Sequence, residues 1–223
     1  MSYYIQFNQV SKSFKSEEVL KDVSFELEKG KIYGFVGRNG SGKTVIFKLI
    51  SGLMRPSAGE IFLESQNMTH AKQFPKSIGV LIETPGFIPH YSGMKNLKIL
   101  NGLSEKLASA ETLEKSMELV GLDPHNKKPV RTYSLGMRQK LGIAQAIMNS
   151  PELLILDEPM NGLDEESVKK MRTFFTQLKE EHQVTILLAS HNKEDIQVLC
   201  DDLFELSKGT VKRSGQGANE VAI

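Results

Sequence analysis

The chain has a single cysteine, Cys200, and no basic run longer than a pair or triplet. It also has no apolar run near the roughly eighteen residues that a membrane-crossing helix needs. One cysteine cannot form an internal disulfide. Its setting in Val198-Leu199-Cys200 predicts a small core residue in a reducing compartment. The start, Met1-Ser2-Tyr3-Tyr4-Ile5, enters a strand pattern without the basic and apolar regions of a signal peptide, so the chain is expected neither to cross a membrane nor to be exported. Basic pairs such as Lys127-Lys128 and Lys169-Lys170, within a balance of 28 basic and 27 acidic residues, leave no electrostatic footprint for nucleic acid. His70, His90, His125 and His182 lack metal-ligand spacing, so the only metal expected is one brought by a ligand. At 223 residues there is room for one module with an inserted lobe and none for a second; no long heptad insertion is present.

What is present begins with Gly37-Arg38-Asn39-Gly40-Ser41-Gly42-Lys43-Thr44, which fits G-x-x-x-x-G-K-[ST] without a mismatch. It lies between the strand-like residues 31–36 and the helix-like residues 45–50. Glycines there let successive backbone N–H groups turn toward a polyphosphate, while the following helix offers the positive end of its dipole. Lys43 is expected on the outer phosphates and Thr44 on Mg²⁺.

Downstream, the apolar run Leu153-Leu154-Ile155-Leu156 ends in Asp157 and Glu158. A buried parallel strand would deliver both carboxylates to its C-terminal edge, where open α/β sheets bind ligands. Asp157 is the natural second oxygen ligand for the metal held by Thr44; Glu158 is placed to polarise an attacking water.

With Tyr133-Ser134-Leu135-Gly136-Met137 shortly before that run, the chain resembles the ATP-binding subunit of an ABC transporter from about residue 3 to residue 208. Leu135 and Met137 replace the commoner Gly and Gln of the family signature; Ser134 and Gly136 are kept. The resemblance implies that Ser134 and Gly136 of one subunit complete the phosphate site of another, two chains enclosing two ATP molecules head to tail as a homodimer or heterodimer. It implies that Asn161-Gly162-Leu163-Asp164 is the loop crossing that interface, that His191 is the switch histidine on the γ-phosphate, and that Phe14 stacks on adenine. Catalysis would then fall to Glu158, His191 and Lys43. ATP would be held by Phe14, Gly37, Arg38, Asn39, Gly40, Ser41, Gly42, Lys43, Thr44, Glu83, Ser134, Gly136 and Asp164, and Mg²⁺ by Thr44, Asp157 and Glu83. Glu83 stands where the family has the Gln of its Q-loop, as in the subgroup associated with bacitracin and lantibiotic self-protection and with multidrug or peptide export; it adds negative charge beside Asp157 and Glu158. Membrane-spanning subunits would be the partners, met at the cytoplasmic face through a groove containing Phe87, Ile88 and Tyr91. A soluble ABC ATPase acting on a protein complex is the alternative.

The expected fold is α/β: a P-loop NTPase core of RecA type, an antiparallel β subdomain and an inserted α-helical subdomain. Residues 5–7, 19–27 and 60–63 alternate as antiparallel strands do, whereas the strands ending at Val36, Asp157 and Ala189 are continuously apolar. Core and β subdomain would take residues 1–83 and 150–208. The helical lobe would take 84–149, with helices over 94–103, 111–120 and 135–148, and a tail of little periodicity would follow from 209 to 223. Asp164 and Asn192 are expected helix caps.

Overall fold

The computed structural model describes residues 3–15, 17–70 and 75–215. Two sheets share the core. One, antiparallel, has the order β2-β1-β4-β5, from β1 (Ile5–Phe14), β2 (Glu17–Leu27), β4 (Ala58–Leu63) and β5 (Gln66–Asn67). The other is built from β3 (Ile32–Val36), β6 (Ile78–Leu81), β7 (Leu153–Asp157), β8 (Thr185–Ala189), β9 (Asp202–Ser207) and β10 (Thr210–Gly215), in the order β10-β9-β3-β8-β7-β6. All its neighbours are parallel except β10, which runs against β9.

Continuous apolar runs arise because the parallel sheet is covered on both faces. In β7, Leu153 and Ile155 pack toward the antiparallel sheet, while Leu154 and Leu156 pack toward the helices on the opposite side. β8 divides in the same way, Leu187 and Ala189 on one side and Ile186 and Leu188 on the other. Between the sheets Phe25, Phe35, Phe47 and Phe204 touch ring to ring at centroid distances of 5.2 to 5.9 Å. Phe47 belongs to α1 (Lys43–Ile50), so this cluster fixes the helix that follows the glycine-rich loop. Truncating such a phenylalanine costs about 3–5 kcal/mol.

The helical lobe lies between β6 and β7: α2 (Gly93–Asn101), α3 (Ala110–Leu119) and α4 (Leu135–Ile147). Leu113, Met117 and Val120 keep helical spacing and are all buried against Leu97, Tyr133 and Leu141. Each helix is capped by a serine hydroxyl, Ser92, Ser109 or Ser134, accepting an N–H three residues on, at about 1 kcal/mol apiece. α5 (Glu165–His182) and α6 (Lys193–Leu199) are capped by Asp164 and Asn192. Cys200 is buried beside Gly34, and desolvation raises its thiol pKa far above the ordinary range, as expected of a core residue.

β1 extends beyond the alternating residues 5–7 to Phe14, because register shifts after Phe7 carry the strand through Ser11-Lys12-Ser13 without apolar alternation. One reading needs correction. The first part of the supposed tail is the edge strand β10: Lys208-Gly209 makes a two-residue hairpin turn, Val211 pairs with Leu206, and Arg213 bonds Asp202. Its exposed positive charges mark an edge strand, a pattern that looks aperiodic in sequence. Residues 216–223 lie outside the described residues.

Candidate active site

A cavity of about 610 Å³ opens where β3, β6, β7 and β8 end, and the residues just after those strands line it: residues 39–45, Glu83, Asp157, Glu158 and His191. Four segments distant in sequence meet there because parallel strands put their C-terminal ends on one edge. A hollow of equal volume lies between α3 and α5, but its charged residues Glu111, Lys115, Glu152 and Glu181 form no such constellation.

The glycine-rich loop takes its shape from backbone rather than side chains. Gly42, which precedes α1, sits at φ 107°, where a Cβ would also come within 2.9 Å of Leu20. Lys43 is buried and donates from Nζ to the carbonyls of Gly37 at 2.6 Å and Arg38 at 3.3 Å. Desolvation lowers its pKa, against the opposing pull of Glu158 and Asp157. Thr44 Oγ1 donates to Asp157 Oδ2 at 2.7 Å, joining the loop to the strand-end carboxylate.

Glu158 has a left-handed backbone, φ 51°, a conformation costing about 1–3 kcal/mol outside glycine and typical of functional positions. Its N–H donates to Ala189 and its carbonyl accepts from Gln139 Nε2 at 2.9 Å. Its Oε2 accepts from the backbone N–H of His191 at 3.2 Å. Oε1 lies 3.4 Å from His191 Nε2 without hydrogen-bond alignment. Burial is the main cause that raises the carboxyl's pKa, offset in part by His191 and Lys43 and reinforced by Asp157.

The residues present suit a nucleotide with a hard cation. Among the described residues, Ser41 Oγ and Glu158 Oε1 are buried polar atoms without hydrogen bonds, and both belong to residues lining the cavity. Unpaired atoms of this kind are costly unless a ligand meets them. Thr44 and Asp157 offer the oxygen donors that Mg²⁺ prefers. Among the described residues no group of three or more His, Cys, Asp or Glu could hold a metal unaided, so further ligands would have to be phosphate or water.

Other sequence-derived candidates fall elsewhere. Gly37 and Arg38 flank the cavity and supply carbonyls to Lys43. Phe14 is exposed at the end of β1 with Lys12 Nζ 5.1 Å from its ring centroid, outside the cavity lining that includes Glu17 and Val19. Ser134 is occupied as the α4 cap, and Gly136 approaches the Asp164 loop so closely that a Cβ would sit 2.6 Å from the carbonyl of Gly162. Both oxygens of Asp164 accept from Ser167, which lowers its pKa. Phe87 packs on the core of its own lobe, whereas Ile88 is exposed.

Two neighbours were not assigned roles from sequence. Gln139 was visible beside the signature, yet nothing marked its bond to Glu158. Lys48 lies one turn after Thr44 and its Nζ meets Glu83 Oε1 at 2.5 Å. The extra negative charge at Glu83, itself at φ 59°, therefore has a local counterion.

A phosphate-binding loop, a hydroxyl–carboxylate pair and a second, raised carboxyl at one sheet edge define a nucleotide-hydrolysing cassette. The profile of the family described as ABC transporter matches residues 20–161. The chain is 40% identical, over 94% of its length and 95% of the relative's, to the uncharacterized ABC transporter ATP-binding protein YybJ of Bacillus subtilis (strain 168). It is 39% identical, over 94% of its length and 68% of the relative's, to the bacitracin transport ATP-binding protein BcrA of Enterococcus faecalis. The fold is that of the ATP-binding cassette MJ0796, a dimeric post-hydrolysis state bound to ADP and Pi, with TM-score 0.87, 20% identity, and coverage of 97% of this chain and all of the other. The chain belongs to the ABC transporter family, as an ATP-binding, ATP-hydrolysing subunit.

Proposed function

We propose that this subunit drives export of a peptide antibiotic or drug through separate membrane-spanning subunits at the cytoplasmic face of a bacterial membrane. The observation that carries the hydrolytic part is the buried Glu158 Oε1, without a hydrogen bond, facing the head of a complete phosphate loop. The N–H groups of residues 39–44 would hold the β- and γ-phosphates, and Lys43 would exchange the carbonyls of Gly37 and Arg38 for phosphate oxygens. Thr44 and Asp157, with Glu83 beside them, would hold Mg²⁺, which neutralises charge on the phosphate oxygens when bound. Glu158 takes a proton from water as the water oxygen bonds to the γ-phosphorus and the bond to the bridging oxygen breaks, releasing ADP and phosphate. His191, whose backbone N–H holds Oε2, keeps the carboxylate aimed.

Ser134 and Gly136 flank Leu135, which lines this chain's own cavity; on the resemblance to the family signature they would serve the cavity of a second subunit. Export of a peptide antibiotic rests on the likeness to a bacitracin transport protein and on Glu83 in the Q-loop position. Among the described residues no helix is long and apolar enough to cross a membrane, so this part of the chain does not itself supply a helical path. Ile88, exposed, and Tyr91, half-buried under Lys95 at 3.7 Å, form the docking surface at the root of the helical lobe. Changing Ile88 to Asp and Tyr91 to Ser should abolish membrane recruitment and leave ATP affinity intact; undiminished recruitment in fractionated cells refutes the surface.

The raised pKa of Glu158 gives the chemistry a pH signature. A base must be ionised, so kcat/KM should fall as pH is lowered through a midpoint above the ordinary glutamate value of about 4.3. A pH–rate profile whose acid limb lies at or below that value would contradict Glu158 as a desolvated base.

A further inference from the structure

We infer that Ser190, Asp195 and Arg172 are positioning residues that fix His191 over the reacting phosphate, an inference resting on the assignment of His191 as the switch histidine. His191 is half exposed and, among the described residues, its imidazole makes no hydrogen bond and meets Glu158 Oε1 at 3.4 Å, so its aim rests mainly on the backbone on either side. That backbone is held by a buried polar chain. Ser190 Oγ accepts the N–H of Asn192 at 3.1 Å and donates to Asp195 Oδ2 at 3.0 Å, bracketing His191. Asp195, on the first turn of α6, is fully buried, and its other oxygen accepts from Arg172 Nε at 2.8 Å and Nη2 at 2.6 Å. Arg172 reaches across from α5 and is itself 9% exposed.

A carboxylate near the start of a short helix needs no burial to favour the helix dipole, since an exposed one does the same. Burying Asp195 with a guanidinium is tolerated because every charged atom has a partner, and such fully satisfied networks specify one geometry. The geometry specified here is that of the turn carrying His191, whose N–H in turn holds Glu158.

The test is single-turnover ATP hydrolysis with Mg²⁺ by Ser190→Ala, Ser190→Thr, His191→Ala and the double variant Ser190→Ala/His191→Ala. Ser190→Ala should lower the rate about tenfold at unchanged KM for ATP, the order of loss a sub-ångström misplacement causes, and Ser190→Thr should restore most of it. In the His191→Ala background Ser190→Ala should cost clearly less than in the wild type, because only the part that passes through the backbone N–H to Glu158 is left. Equal losses in both backgrounds, or no rescue by threonine, overturn the inference. A normal rate for His191→Ala instead overturns the assignment of His191, and this inference with it. Asp195→Asn, which leaves Glu194 paired to Arg172 at 2.8 Å, is a second probe and should show the same dependence on His191.

Discussion

Replacing Glu158 with Gln is expected to lower steady-state ATP turnover by about 10²–10⁴-fold, the contribution of a positioned general base. ATP affinity should stay within a few-fold of wild type. The amide keeps the size of the side chain and an oxygen able to accept from the His191 N–H, but it cannot take a proton. The substitution should not lower the melting temperature, because burial already penalises the ionised carboxylate at this position. Bound ATP with no route to hydrolysis should also hold two chains together, visible as ATP-dependent dimer in gel filtration. Phosphate release within roughly tenfold of wild type would mean that another group activates the water.

Lys43→Met should separate binding from stability. Hydrogen bonds to charged groups contribute about 1.5–3 kcal/mol, so losing the ammonium from the phosphates should weaken ATP binding by about 10–150-fold. The protein without nucleotide should melt at the same or a higher temperature. Lys43 is buried, its charge is penalised by desolvation, and its partners there are the carbonyls of its own loop. A chain holding a cation in this way gives up stability for a site that only phosphate completes. Titration with ATP beside a thermal melt checks both halves; retained affinity, or a marked fall in melting temperature, contradicts the assignment.

Chain-local chemistry was legible in the sequence, and chain-distant chemistry was not. The phosphate loop reads directly because glycine positions and the Lys-Thr pair act within one strand–turn–helix, and the buried runs before Asp157 and Ser190 read as parallel strands because both faces are covered. Caps at Asp164 and Asn192 read correctly because a cap is local chemistry. Edge strand β10 was missed because its pattern is set by solvent. Lys48 against Glu83, Gln139 against Glu158 and Arg172 against Asp195 join residues 35, 19 and 23 positions apart on different elements, which no periodicity reports.

On the reading proposed above, hydrolysis here serves transport through another polypeptide. The most direct measurement is to tag the Glu158→Gln chain, solubilise cells in mild detergent with ATP and Mg²⁺, and identify the co-purifying proteins and their amounts by mass spectrometry. The expected result is a multi-span membrane protein in near-equal amount with the tagged chain. A soluble complex as the stoichiometric partner, or the chain recovered alone as a dimer, would contradict transport and favour an ABC ATPase that works on soluble proteins.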